Sequence, residues 1–511
     1  MKKFIAIILA AILVLSLAAC SGTGSTGANT EANNTQSTQD NPGGPGGPGE
    51  NPPDGTPPAG GPGGPGGNLP DGTPPAGGPG GPGGPGGNPP DGTPPAGGPG
   101  GPGGSASDVT YTGSVEITSA DSRSSEAYAS TTADESALIV NTSDAVTLEN
   151  ITVTKSGDSD GGDSCNFYGL NAALLVMGGS TTTITGGTIE SNAFGANGVF
   201  SYGGNGGSNG AAGDGTTVII KDVTITTTGS GSGGIMTTGG GVTKAYDLNV
   251  TTSGQSSAPI RTDRGGGTVY VEGGTFTSNG LGSPAIYSTA DITVKGAKLI
   301  SNLSEGVCIE GKNLITLTDC DLTANNTQMN GNASFLDSIM IYQSMSGDAD
   351  SGTSAFNMTG GSLTSRNGHV FHVTNTNAII TLENVTIVNE DANGVLLSVC
   401  ADGWSGASNI ATLNAVNQSL SGNILVGSDS TLTLSLTNGS SFTGAIDGNI
   451  TNAKGTSVST EVGAVSVTMD SGSTWTLTGD TCITEFNGDA SSIISNGHKL
   501  YVNGVALTGT R

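Results

Sequence analysis

Beyond residue 106 the chain alternates apolar with polar positions in short runs, and the runs recur as one phrase. It reads TLENITVT at Thr147, TITGGTIES at Thr183, VIIKDVTIT at Val218 and VYVEGGTFTS at Val269. ITVKGAKLIS at Ile292, ITLTDCDLTA at Ile315, FNMTGGSLTS at Phe356 and ITLENVTIV at Ile380 repeat it. Each phrase predicts two short strands broken by a polar or glycine corner. The apolar position of the second strand falls at Val153, Ile189, Ile225, Val250, Phe276, Leu299, Leu322, Leu363 and Ile387, in steps of 36, 36, 25, 26, 23, 23, 41 and 24. A fixed period of this size marks a stacked-repeat fold. The short steps fit one coil of a three-sided parallel β-helix, and the long ones the same coil carrying a loop.

A third strand completes each coil, with Leu175, Phe200, Ile235, Ile260, Ile286, Ile309, Ile341, Phe371 and Leu397 expected in one column. Three residues after the second-strand position stand Ser156, Asn192, Thr228, Ser253, Asn279, Asn302 and Asn325. Asparagine tolerates the left-handed backbone region and bonds locally, so it suits one tight corner repeated in successive coils. This repeat length and asparagine ladder resemble those of the pectate-lyase-like proteins, from about Val109 to Gly509. The resemblance implies an all-β, single-stranded right-handed parallel β-helix over residues 106–511, and it carries no catalytic signature. Thr, Val, Ile and Gly dominate where helix formers would stand, which argues against helices. HKLYVNGVAL near residue 500 is expected to close the stack, because an uncapped sheet edge invites pairing with another chain.

The first 105 residues follow other rules. Lys2 and Lys3 precede an apolar stretch from Phe4 to Leu17, shorter than the roughly 20 residues that span a bilayer. Residues 1–19 read as a secretion signal, and Leu17-Ala18-Ala19-Cys20 resembles the lipobox of bacterial lipoproteins. That resemblance implies cleavage before Cys20 and lipid attachment there, placing the protein on the outer face of the bacterial membrane. Residues 20–105, in which NPPDGTPPAGGPGGPGG recurs with variations from Asn51, are too poor in apolar side chains to offset the entropy of ordering. They are expected to form a disordered tether on the order of 50 Å as a coil, longer where proline extends it.

A net charge of −27, from 42 acidic and 15 basic side chains, excludes nucleic acid as a natural partner, since phosphate binding rests on Lys and Arg releasing counterions. The same charge favours a soluble monomer. With Cys20 lipidated, five cysteines remain, an odd number with no CxxC spacing for zinc, and they read as small core residues.

The residue after an inward position on the third strand points outward, one per coil. That row is Arg261, Tyr287, Glu310, Tyr342, His372 and Ser398, with Asp263 and Lys312 two residues beyond the first and third. Coils lie about 4.8 Å apart, so an exposed row of aromatic and charged groups would suit a glycan. Asp158, Asp160 and Asp163 crowd a glycine-rich turn and suit Ca²⁺, with Asp348 and Asp350 a weaker copy. No catalytic set stands out: Arg261 is expected to pair with Asp263, Glu310 has no identifiable partner acid, and His369, His372 and His498 have no nucleophile beside them in the sequence. These patterns lead us to expect a surface-displayed, non-catalytic glycan binder of adhesin type. The alternative is a lyase or hydrolase of acidic polysaccharide using Arg261 and Glu310.

Overall fold

The computed structural model describes residues 109–159 and 163–511. The signal segment, Cys20, the tether and Asp160 lie outside the described residues. Within them, the alternation resolves into short strands, and the first and second strands of a coil bury every second side chain. Thr224–Thr227 buries Ile225 and Thr227, and Thr275–Ser278 buries Phe276 and Ser278. β-Branched side chains fill these positions because they pack well on a pleated surface.

The strands stack as a parallel β-helix. One face is a sheet of thirteen parallel strands, from Thr112–Ile117 to Ile446–Asp447, its order following the chain one strand per coil. The first and second strands of each coil form the other two faces. They merge into one sheet through Ala145–Lys155 and Thr181–Ser191, which run through the corner between them. Near the C-terminus Leu500–Val502 pairs in parallel with Thr481–Ile483 and then folds back antiparallel onto Val505–Ala506, closing the edge as expected.

Register confirms the second-strand column from Val153 to Ile387 without a slip. From Val153 to Leu363 these side chains are fully buried and form the spine of one continuous core. The third-strand column needs correction. Ile235, Ile260, Ile286, Phe371 and Leu397 do share one inward column, with Val307 and Ile339 between them. Ile309 and Ile341 occupy the second inward column, while Leu175 and Phe200 point outward. Because side chains alternate with period two, a slip of two residues keeps the facing and a slip of one reverses it.

The left-handed corner also lies elsewhere. Asn302 does bond to Asn279 (2.7 Å) and Asn325 to the Asn302 carbonyl (3.2 Å), so that ladder forms. A column of residues with positive φ, however, stands between the first and second strands. They are Asn150, Gly186, Asp222, Asp247, Gly273, Gly296, Asp319, Gly360, Asn384, Asn417 and Asn438, one per coil. Gly, Asn and Asp adopt this conformation most readily and fill the column from Asn150 onward, while Ser125 takes it in the first coil.

Long insertions between coils fold back over the outer surface of the thirteen-stranded sheet. Phe167, Tyr168 and Ala172 pack on Leu175, Phe200 and Met236. Farther along, Ala333 and Trp404 cover Tyr287, Cys308, Met340 and Tyr342, and Ile450 joins Phe335 and Cys400. This face therefore lies beneath a canopy of loops, whereas the first-strand face stays open.

Gly273→Ala tests the corner. Gly273 has φ +69°, and an added Cβ would stand 2.1 Å from Asp247 Oδ1. The substitution is expected to cost about 1–2 kcal/mol or more in equilibrium denaturation. An unchanged midpoint would contradict the corner assignment.

Candidate functional site

Arg261, Tyr287, His372 and Ser398 do lie in one outward column, but Cys308 and Met340 occupy the places given to Glu310 and Tyr342. Those two project from the next outward position and stay adjacent in register. The expectation that this row faces solvent is overturned. Arg261 is 2% exposed, Asp263 2%, Tyr287 5%, Glu310 1%, and Tyr342, His372 and Ser398 0%. The canopy covers them, and a strand pattern does not reveal what folds over a sheet.

Beneath it, Glu310 is a hub. Its Oε2 accepts from Tyr287 (2.6 Å) and Tyr342 (2.9 Å), and its Oε1 from Ser344 and from Ser346 (3.2 Å). Four donors satisfy the carboxylate and tie the 343–352 loop to the sheet. Burial still pushes the Glu310 carboxyl up, partly offset by Ser344 and the tyrosines. Arg261 pairs with Asp263 at 2.9 Å, as expected, and also bonds Asn166 and the Ser256 carbonyl. Burial drives Asp263 up to about 7 despite that pairing. Arg264, above the Phe167 ring at 4.2 Å, reaches Asp348 at 2.6 Å. Asp350 pairs with Lys312 at 2.8 Å.

Sequence reading missed a nucleophile beside the histidines. Ser398 Oγ lies 2.7 Å from Nδ1 of both His372 and His369, and His372 Nε2 faces Asp402 Oδ2 across 3.5 Å. Asp402 is anchored by the Ser334 backbone and hydroxyl. Burial raises the Asp402 carboxyl, but His372 and these bonds outweigh it and hold the group low. The order serine, imidazole, carboxylate is that of a base-activated nucleophile. Here, however, two imidazoles share one buried hydroxyl, and Ser398 has no solvent exposure. Burial pulls His369 down to about 4. The signal was legible: Ser398 follows His372 by one coil.

Two more acids sit buried in the third-strand region: Glu305, raised by burial, and Asp337, raised well above the carboxylate range by burial and by Glu305. Asp158 accepts from the Phe194 backbone at 2.8 Å, and Asp163 precedes the helical turn Ser164–Phe167. Among the described residues no cluster of three or more His, Cys, Asp or Glu could hold a metal ion. Cys308, Cys320 and Cys400 are buried free thiols, and Cys165 is buried too.

The open first-strand face carries a different set. Lys221, Tyr246, Glu272 and Lys295 follow one another in register through four coils, and Lys244 pairs with Tyr270 in the adjacent outward column. The tyrosine rings are half-buried with centroids 6.0 Å apart. Lys221 Nζ stands 5.3 Å from the Tyr246 ring, Lys295 Nζ 5.5 Å from the Tyr270 ring, and Tyr270 donates to Glu272 at 2.7 Å. All three lysines and Glu272 are exposed. Each ring thus has a lysine ammonium over one face and the other tyrosine tilted beside it.

Neither family models, curated proteins nor solved structures give any match to this chain.

The buried acids set a pH dependence. A carboxyl whose pKa is higher folded than unfolded holds its proton more tightly in the fold, so it stabilises as pH falls from the folded to the unfolded value. For Asp263 that window runs from about 7 down to 3.8, and Glu305, Glu310 and Asp337 act in the same direction. His369, pulled down to about 4, acts oppositely and withdraws stability from 6.5 down to that value, and Asp402, held low, withdraws it below its unfolded value. The melting temperature is expected to rise from pH 8 to about pH 5 and to fall at lower pH. Asp263→Asn should flatten the rise, and a melting temperature that drops steadily from pH 8 would contradict this.

Proposed function

We propose that this chain is a surface-displayed lipoprotein whose β-helix binds an extracellular glycan through its open first-strand face. The observation that carries the reading is the exposed ladder of Lys221, Tyr246, Glu272 and Lys295 beside Lys244 and Tyr270. Tyrosine offers a sugar ring an apolar face with a polar tip, and lysine and glutamate bond its hydroxyls. Rungs about 4.8 Å apart on a rigid sheet hold these groups without loop ordering, which lowers the cost of binding. The lipobox-like Cys20 and the Pro/Gly tether suit such a role, because they would carry the domain away from the membrane. The resemblance to pectate-lyase-like proteins points the same way at the level of fold only.

The recognition surface therefore moves from the covered third-strand row to the first-strand face. Arg261 and Glu310, the groups an acidic-polysaccharide lyase or hydrolase would use, are both buried and held by internal partners. Affinity electrophoresis of residues 106–511 against soluble plant, microbial and host polysaccharides tests the proposal. Retardation by at least one is expected, and Tyr246→Ala with Tyr270→Ala should weaken it about tenfold or more, by about 1–3 kcal/mol of lost ring contact. Retardation that survives the double substitution would move the site elsewhere, and no retardation by any polysaccharide would remove the proposal.

A further inference from the structure

A second feature lies several coils along the helix. An open cleft of about 340 Å³ is bounded by the 343–353 and 405–410 segments where the third-strand face meets the first. Its walls include Gln343, Ser351, Thr353, Asn377, Ser408 and Ile410, and no charged side chain lines it. In a chain of net charge −27 that is a local departure. The nearest charges on the 343–353 segment are engaged: Asp348 with Arg264 and Asp350 with Lys312.

Gln343 is 8% exposed, and its Nε2 donates to the Ser344 and Ala349 carbonyls, both at 3.3 Å. Its Oε1 is buried and has no hydrogen-bond partner. That oxygen is sealed from solvent, so Gln343 acts as part of the wall and not as a group that a ligand contacts. The walls are also preset by Asn375, whose Nδ2 donates to the Gln343 carbonyl at 2.7 Å and whose Oδ1 accepts from Ala407 at 2.6 Å. Asn409 in turn accepts from the Asn375 backbone at 2.7 Å. One side chain thereby ties both segments together, so little ordering remains to be done on binding. Exposed Met345, with its sulfur 3.9 Å from the Ser405 hydroxyl, adds apolar surface to the same pair of segments.

We infer that this cleft is a second binding site, separate from the tyrosine ladder, for an uncharged polyhydroxylated ligand of sugar size. The Ser, Thr and Asn side chains of the walls would bond the ligand hydroxyls, and Ile410 would meet an apolar ring face. Charged sugars are disfavoured, since no side chain in the walls would compensate a desolvated charge.

The test uses the full chain carrying Tyr246→Ala and Tyr270→Ala, so that the ladder contributes nothing. Cellotriose, xylotriose and chitotriose are each titrated by calorimetry. Saturable binding of at least one is expected. Ser408→Trp, an exposed substitution that fills the cleft without touching the core, should abolish it at an unchanged melting temperature. No saturable binding by any of the three, or binding unaffected by Ser408→Trp, would overturn the inference. Because the ladder is already removed, neither result bears on the glycan proposal for that face.

Discussion

From Ser125 to Asn438 successive coils of this protein turn the same corner in the same place, each on a residue with positive φ. The column from Asn150 to Asn438 does so in each coil with Gly, Asn or Asp. Two of the amides that meet there bond to each other, Asn417 to Asn384 at 2.6 Å. Where glycine follows an acid or amide, the neighbouring side chain fills the space a Cβ would need, as Asp247 does beside Gly273. A fixed corner keeps the strands on either side in register, and register decides which side chains enter the core.

From that constraint come two unlike faces. The first strand passes to the second through short corners, and the first-strand face leaves its outward side chains to solvent. Loops inserted beside the third strand fold back over the thirteen-stranded sheet and enclose an array of ionisable groups. The enclosed groups answer one another: Glu310 with four hydroxyls, Arg261 with Asp263, His372 with Ser398 and Asp402. Buried ion pairs are weak evidence of net stability, because desolvation offsets attraction. Their clearer consequence is positional, for Glu310 ties the 343–352 loop to the sheet and Asp402 ties the 401–408 loop to it.

The coil period and the second-strand column were legible because each apolar position in them faces a core that admits nothing polar. The left-handed column was equally legible in hindsight, since TLEN, IIKD, LTD and LTN each end their first strand on Asn or Asp. The asparagine ladder at Asn279, Asn302 and Asn325 drew attention away from it. Insertions blurred the third strand, because an added loop resets the count without changing the alternation. Facing could be read along a strand, but not whether water reaches the outward side. The canopy is made by segments such as 164–172 and 400–408, whose sequences carry no periodic signal. So the most chemically suggestive row in the sequence proved to be covered, and the tyrosine–lysine ladder went unnoticed among ordinary surface residues.

Cys308 provides the most direct check, because it stands in the outward column between Tyr287 and Met340 and is fully buried. Native protein carrying Tyr246→Cys would be treated with iodoacetamide and the labelled peptides quantified over time. The structure predicts rapid labelling at position 246 and none at Cys308 until denaturant is added. Comparable labelling of both thiols in the native protein would show that the third-strand row is open to solvent, and would contradict the two-faced architecture.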